Sequence, residues 1–137
     1  MEPSSPEPPH THHIGAYWLE KAAEDLASAR DNFTAGRLSN AVRDAYFACF
    51  HAFSSILLRT QKSFRTHKEV RSRLHRDFVR TKKLDAQWGK HYDWLFENRQ
   101  KADYRPLVHF DTEQVRDILE KSEAFVKAMQ RHGATGC

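Results

Sequence analysis

The stretch from Leu38 to Leu57 constrains the fold more than any other part of the chain, because it reads as one helix bearing two adjacent apolar stripes. Leu38, Val42, Ala45, Cys49, Ala52 and Ile56 fall on one stripe; Arg43, Tyr46, Phe50, Phe53 and Leu57 fall on its neighbour. Side chains three or four positions apart share a helix face, so the two stripes together make an apolar arc too wide for a surface helix. Such a helix has to be surrounded, which predicts it at the centre of a bundle.

The flanking segments supply the surrounding helices. Leu19, Ala22, Leu26, Ala29 and Phe33 recur at helical spacing, with Glu20, Lys21, Glu24, Asp25 and Asp31 off that stripe, and the helix they predict ends near Gly36. Thr66-His67-Lys68-Glu69 fits a capping box that opens a third helix through Val70, Leu74 and Phe78. A fourth begins near Leu84, runs through Trp88, Tyr92, Leu95, Arg99 and Ala102, and is stopped by Pro106, whose ring and missing N–H forbid continuation. Asp111-Thr112-Glu113-Gln114 resembles a second capping box, followed by Val115, Leu119, Ser122, Phe125 or Val126, and Met129, with Gly133 as the expected stop. Strand-like alternation and long internal repeats are missing. The expectation is an all-α, up-and-down bundle of about five helices over residues 14–133, preceded by a disordered Pro/Ser/His-rich tail at 1–13 and followed by a short tail at 134–137. A chain of 137 residues builds one such core and not two.

No apolar run approaches the roughly 20 residues of a membrane span, and Met1 to His13 lacks the apolar centre of a signal peptide, so the expected address is cytoplasmic. Cys49 lies inside the central apolar helix and Cys137 ends the chain, which argues against a designed disulfide. There is no paired Cys/His spacing of the zinc type; His10, His12 and His13 belong to the tail, and neither a metal nor a cofactor is expected.

The net charge of +4 is unevenly spread. Between Arg59 and Lys83 ten Lys/Arg stand against Glu69 and Asp77, a local +8 that leaves the remainder at −4. A band of this kind is either a solvated helix face or a landing site for phosphates.

Two arginines interrupt stripes that are otherwise apolar, Arg43 on the central helix and Arg99 on the fourth. A guanidinium is costly to bury alone, so each should face a carboxylate, a subunit interface or an anionic ligand. Asp103 and Tyr104 follow Arg99 within about a turn, with Arg105 and His109 beyond. His67, in the first turn of its helix, is either an exposed capping-turn residue or a donor to a ligand phosphate. Arg65, Lys68 and Arg71 flank it and complete the set of candidate ligand-binding residues with Arg43. His51, eight residues after Arg43, reads as packing. No Ser/His/Asp set, phosphate-binding glycine loop or carboxylate-rich metal cluster is present.

Three ordered motifs, Arg43-Asp44-Ala45-Tyr46-Phe47-Ala48-Cys49-Phe50-His51, Thr66-His67-Lys68 and Arg99-Gln100-Lys101-Ala102-Asp103-Tyr104, resemble the HEPN superfamily (higher eukaryotes and prokaryotes nucleotide-binding domain), specifically its small stand-alone prokaryotic branch. The resemblance runs from about Tyr17 to Met129. It implies a homodimer that binds nucleotide or RNA, often as the toxin of a toxin and antitoxin pair with a minimal nucleotidyltransferase, and in many members a metal-independent ribonuclease. That ribonuclease site is an Arg-x4-6-His motif. Arg99 matches its arginine, but no arginine in this chain is followed by His after four to six residues, and the position five after Arg99 is Tyr104. Tyrosine, with a reference pKa near 10, is a poor general base at neutral pH. Asp103, or His67 brought in by folding, would have to stand in. Arg99, Asp103 and Tyr104 are therefore the expected polar site of a nucleotide- or RNA-binding protein. The alternatives are an active ribonuclease with a non-standard site and a purely structural helical adaptor.

Overall fold

A computed structural model describes residues 10–60, 63–102 and 109–135. They form five α-helices, α1 (His10–Thr34), α2 (Leu38–Arg59), α3 (His67–Arg73), α4 (Ala86–Ala102) and α5 (Thr112–Thr135), and no strand among the described residues. α3 passes directly into a π-helical turn, Leu74–Val79. No described helix is long and apolar enough to cross a membrane.

α2 packs against α1, α4 and α5, as its double stripe requires. Val42, Ala45, Tyr46, Cys49, Ala52, Phe53 and Leu57 are wholly buried. α1 folds back antiparallel along it through a three-residue link, in which Gly36 adopts φ +81 and closes α1 by donating to Phe33 O while Arg37 donates to Asn32 O. The antiparallel register shows in the polar contacts: Ser28 and Asn32 both donate to the Asp44 carboxylate at 2.7 Å, and His51 meets Asp25 nearer the other end.

Both capping motifs form. Thr66 Oγ1 accepts from Glu69 N at 3.0 Å, with the Glu69 carboxylate reaching back to Arg65 N. Asp111 Oδ1 accepts from Glu113 N at 2.9 Å. Three details depart from expectation. α1 begins at His10, inside the stretch expected to be tail. The π-helical turn leaves no mark in the apolar spacing, because Val70, Leu74 and Phe78 still step by four. Gly133 does not stop α5, which continues to Thr135. Its absent side chain instead admits Arg59, whose Nη1 donates to Gly133 O at 2.6 Å; a Cβ on Gly133 would lie 2.5 Å from that nitrogen, and one on Gly15 of α1 would lie 2.5 Å from Arg59 Cδ. The Arg59 stem thus threads between two glycines and ties α1 and α5 to the end of α2.

α4 and α5 are joined by a buried polar contact, His91 Nε2 to Ser122 Oγ at 2.9 Å. Burial first, and then Lys121, push the His91 pKa down to about 4 against the opposing pull of Asp117.

Two outcomes follow from these contacts. Gly133→Ala gains helix propensity of about 1 kcal/mol but collides with Arg59, so the net effect is a loss of about 1–2 kcal/mol, read as a lower Tm. For His91, the unfolded chain takes up the proton first as pH falls. Its contribution is therefore complete above about pH 6.5 and is lost progressively toward pH 4, by about 3 kcal/mol. Denaturant titrations of wild type and His91→Gln should differ in slope across that window only; identical pH profiles would remove His91 as the cause.

Candidate functional site

One face of α2, read at helical spacing, presents Arg43, Tyr46, Phe47 and Phe50, and the middle of this face builds the site. Tyr46 is fully buried, with its ring 6.0 Å from Phe50, 5.8 Å from Tyr92 and 6.3 Å from Phe96. Burial pushes its hydroxyl pKa upward, against the lowering influence of Tyr92 and the Arg99 charge, so the phenol stays protonated.

Two other elements converge on Tyr46. His67 opens α3, fixed there by the Thr66 cap, and its Nδ1 lies 2.9 Å from the Tyr46 hydroxyl. Its ring stacks on Phe50 at 4.2 Å and 24°. Arg99 comes from the last turn of α4, with Cζ 5.0 Å from the Tyr46 ring centroid and 5.9 Å from that of Phe47. The electron-rich ring faces attract the guanidinium without neutralising it, which keeps a cation in a half-buried place. Burial, then the charges of Arg99 and His51, depress the His67 pKa. At neutral pH the cluster therefore pairs a permanent cation with a neutral imidazole, a combination suited to holding a phosphate beside a proton acceptor.

The fold brings Arg99 and His67 together, although they stand 32 positions apart in sequence. Arg43 lies one turn before Tyr46 on the same face, but it is exposed, so the cost expected of a buried guanidinium does not arise there. Arg65 is exposed and enters the capping network through its backbone N–H. Lys68 and Arg71 line a groove of about 400 Å³ with Ser72, His75, Arg76 and Arg80. Arg71 is anchored in it by Asp93 at 2.8 Å and Glu97 at 3.3 Å, over the Phe96 ring. Asp103, Tyr104 and Arg105 lie outside the described residues.

Sequence reading did not single out Tyr46 as the hub. It also read His51 as packing, whereas His51 Nδ1 meets Asp25 Oδ2 at 2.6 Å and the ring stacks on Trp18 at 5.0 Å. A signal for the second existed: Asp25 borders the α1 stripe beside Leu26, where a carboxylate facing the next helix needs a partner. Among the described residues no three His, Cys, Asp or Glu side chains are grouped as metal ligands.

A small five-helix bundle with an Arg–Tyr–His cluster where α2, α3 and α4 meet defines the class of this protein. The chain belongs to the HEPN domain family, whose model matches residues 16–132. It is 37% identical to a UPF0332 protein of Thermotoga maritima over 84% of this chain and 87% of that protein. It is also similar to two proteins of Methanocaldococcus jannaschii. One, named "Putative toxin MJ0142", is 22% identical over 83% of this chain and 78% of its own length; the other, "Putative toxin MJ0605", is 26% identical over 82% and 84%.

The Tyr46 hydroxyl is expected to orient His67 more than to stabilise the fold. Tyr46→Phe should cost about 1 kcal/mol while visibly changing the His67 ring-nitrogen shifts in NMR spectra. Unchanged shifts would show that the hydroxyl does not hold the imidazole.

Proposed function

We propose that this protein is an RNA-directed member of the HEPN family, the toxin of a toxin and antitoxin pair, and that its Arg99–His67 cluster binds and cleaves an RNA phosphodiester. The observation that carries the reading is that both groups contact Tyr46: Arg99 over the ring and His67 at the hydroxyl. The family's usual histidine downstream of Arg99 is missing from this sequence, and His67 supplies an imidazole from a different helix. Arg99 binds the phosphate oxygens and stabilises the charge that grows on them. His67, neutral through burial and its cationic neighbour, accepts the proton of the attacking 2′-hydroxyl. Relatives named as toxins support the toxin assignment. The groove from Lys68 to Arg80 gives the neighbouring phosphates a basic surface. In the family setting the working unit is a homodimer in the cytoplasm, controlled by a nucleotidyltransferase-type protein.

The test is incubation of the purified protein with total RNA, with and without chelator. Cleavage should be indifferent to chelator and fall at least about 100-fold in both Arg99→Ala and His67→Ala, with melting temperatures matched to wild type. Cleavage that survives both substitutions, or none by wild type, would sink the proposal.

A further inference from the structure

A phosphodiester cleavage that uses the neighbouring 2′-hydroxyl needs two proton transfers, one from the nucleophile and one to the leaving oxygen. His67 serves the first only. The structure contains a second imidazole, equally well held, for which the proposed function has no use.

His51 lies on α2 one turn after Phe47 and donates or shares its Nδ1 proton with Asp25 Oδ2 at 2.6 Å. The two side chains are 15% and 23% exposed, so the pair is sheltered without being sealed. Trp18 stacks on the ring at 5.0 Å and 25°, fixing its plane. The His51 and His67 rings lie 5.4 and 4.2 Å from the Phe50 centroid, so their own centroids are at most 9.6 Å apart. Around the partly exposed Phe47 ring, Arg99 Cζ, His67 and His51 stand at 5.9, 6.0 and 6.1 Å. Each imidazole turns Nδ1 toward its protein partner, Tyr46 or Asp25, which leaves Nε2 as the nitrogen for substrate.

The pair is not needed to hold α1 on α2. That interface already has a continuous apolar stripe and the Ser28 and Asn32 bonds to Asp44. Two imidazoles with different partners are instead suited to opposite proton duties. His67, beside a cation, is the one kept neutral; His51, when protonated, forms an ion pair with Asp25.

We infer that His51, aligned by Asp25, is the general acid of this site and completes with His67 and Arg99 a two-histidine ribonuclease centre. The inference rests on the proposed RNA cleavage. The 2′-oxygen attacks phosphorus as its proton passes to His67 Nε2, and the P–O5′ bond breaks as O5′ takes the proton from His51 Nε2. The products are a 2′,3′-cyclic phosphate and a 5′-hydroxyl. His67 leaves the step protonated and His51 neutral, and exchange with water resets both. Asp25 touches only His51 and is a positioning residue.

The experiment compares an RNA oligonucleotide containing the cleaved step with the same oligonucleotide carrying a bridging 5′-sulfur there, because a departing thiolate needs no proton. His51→Gln should lose at least about 100-fold on the all-oxygen RNA and stay near wild type on the sulfur substrate, whereas His67→Gln should lose activity on both. Asp25→Asn should show a smaller loss with the same rescue, and it serves as the second probe if His51→Gln melts early. Equal losses on both substrates, or no loss on either, overturn the assignment of His51 and leave the ribonuclease reading standing. Cleavage of neither substrate by wild type overturns both.

Discussion

Burial of α2 over most of its circumference is the constraint from which the rest of the molecule follows. A helix with two apolar stripes has no stable place on a surface, so α1, α4 and α5 must close around it, and each then buries its own narrower stripe. The energetic weight falls on side chains such as Phe53, Leu57 and Cys49, none of which retains any exposure. Burial also pushes the Cys49 thiol well above its ordinary pKa, which leaves it inert as a nucleophile and consistent with a packing role.

The same burial creates the polar cluster. Tyr46 sits where the apolar arc of α2 meets two helix ends, and its phenol has to satisfy a hydrogen bond in a place water does not reach. The cap that starts α3 delivers an imidazole to that hydroxyl, and the last turn of α4 lays a guanidinium over the ring. Core and site are thus one structure: the aromatic rings that exclude water are those that keep Arg99 charged and His67 neutral.

How much of this was legible in the sequence depends on the range of each contact. Stripes, caps and the Gly36 turn are local patterns, and they predicted all five helices with the central one correctly chosen. The site is a product of long-range contacts. Arg99 stood out because it interrupted an apolar stripe, and the same argument applied to Arg43 met an exposed residue, since a stripe does not record where a helix edge emerges from the bundle. The Tyr46–His67 and His51–Asp25 contacts join residues 21 and 26 positions apart, and periodicity within one helix carries no information about such meetings. Gly133 was misread for a related reason: a glycine near a helix end looks like a terminator, and only the path of Arg59 reveals it as a notch.

The π-helical turn gives the chain a sensitivity that its composition does not show. Arg80 N bonds to His75 O at 2.8 Å, five residues back, so the turn holds one residue more than an α-helical path would. Removing a single residue there would restore the ordinary ladder and rotate everything downstream by about 100°, carrying Arg80 away from the line of Lys68 and Arg71. The basic groove is therefore encoded by chain length as much as by chemistry. Among relatives, a one-residue gap between Leu74 and Val79 would mark a change of phase in the charged surface even where every lysine and arginine is kept.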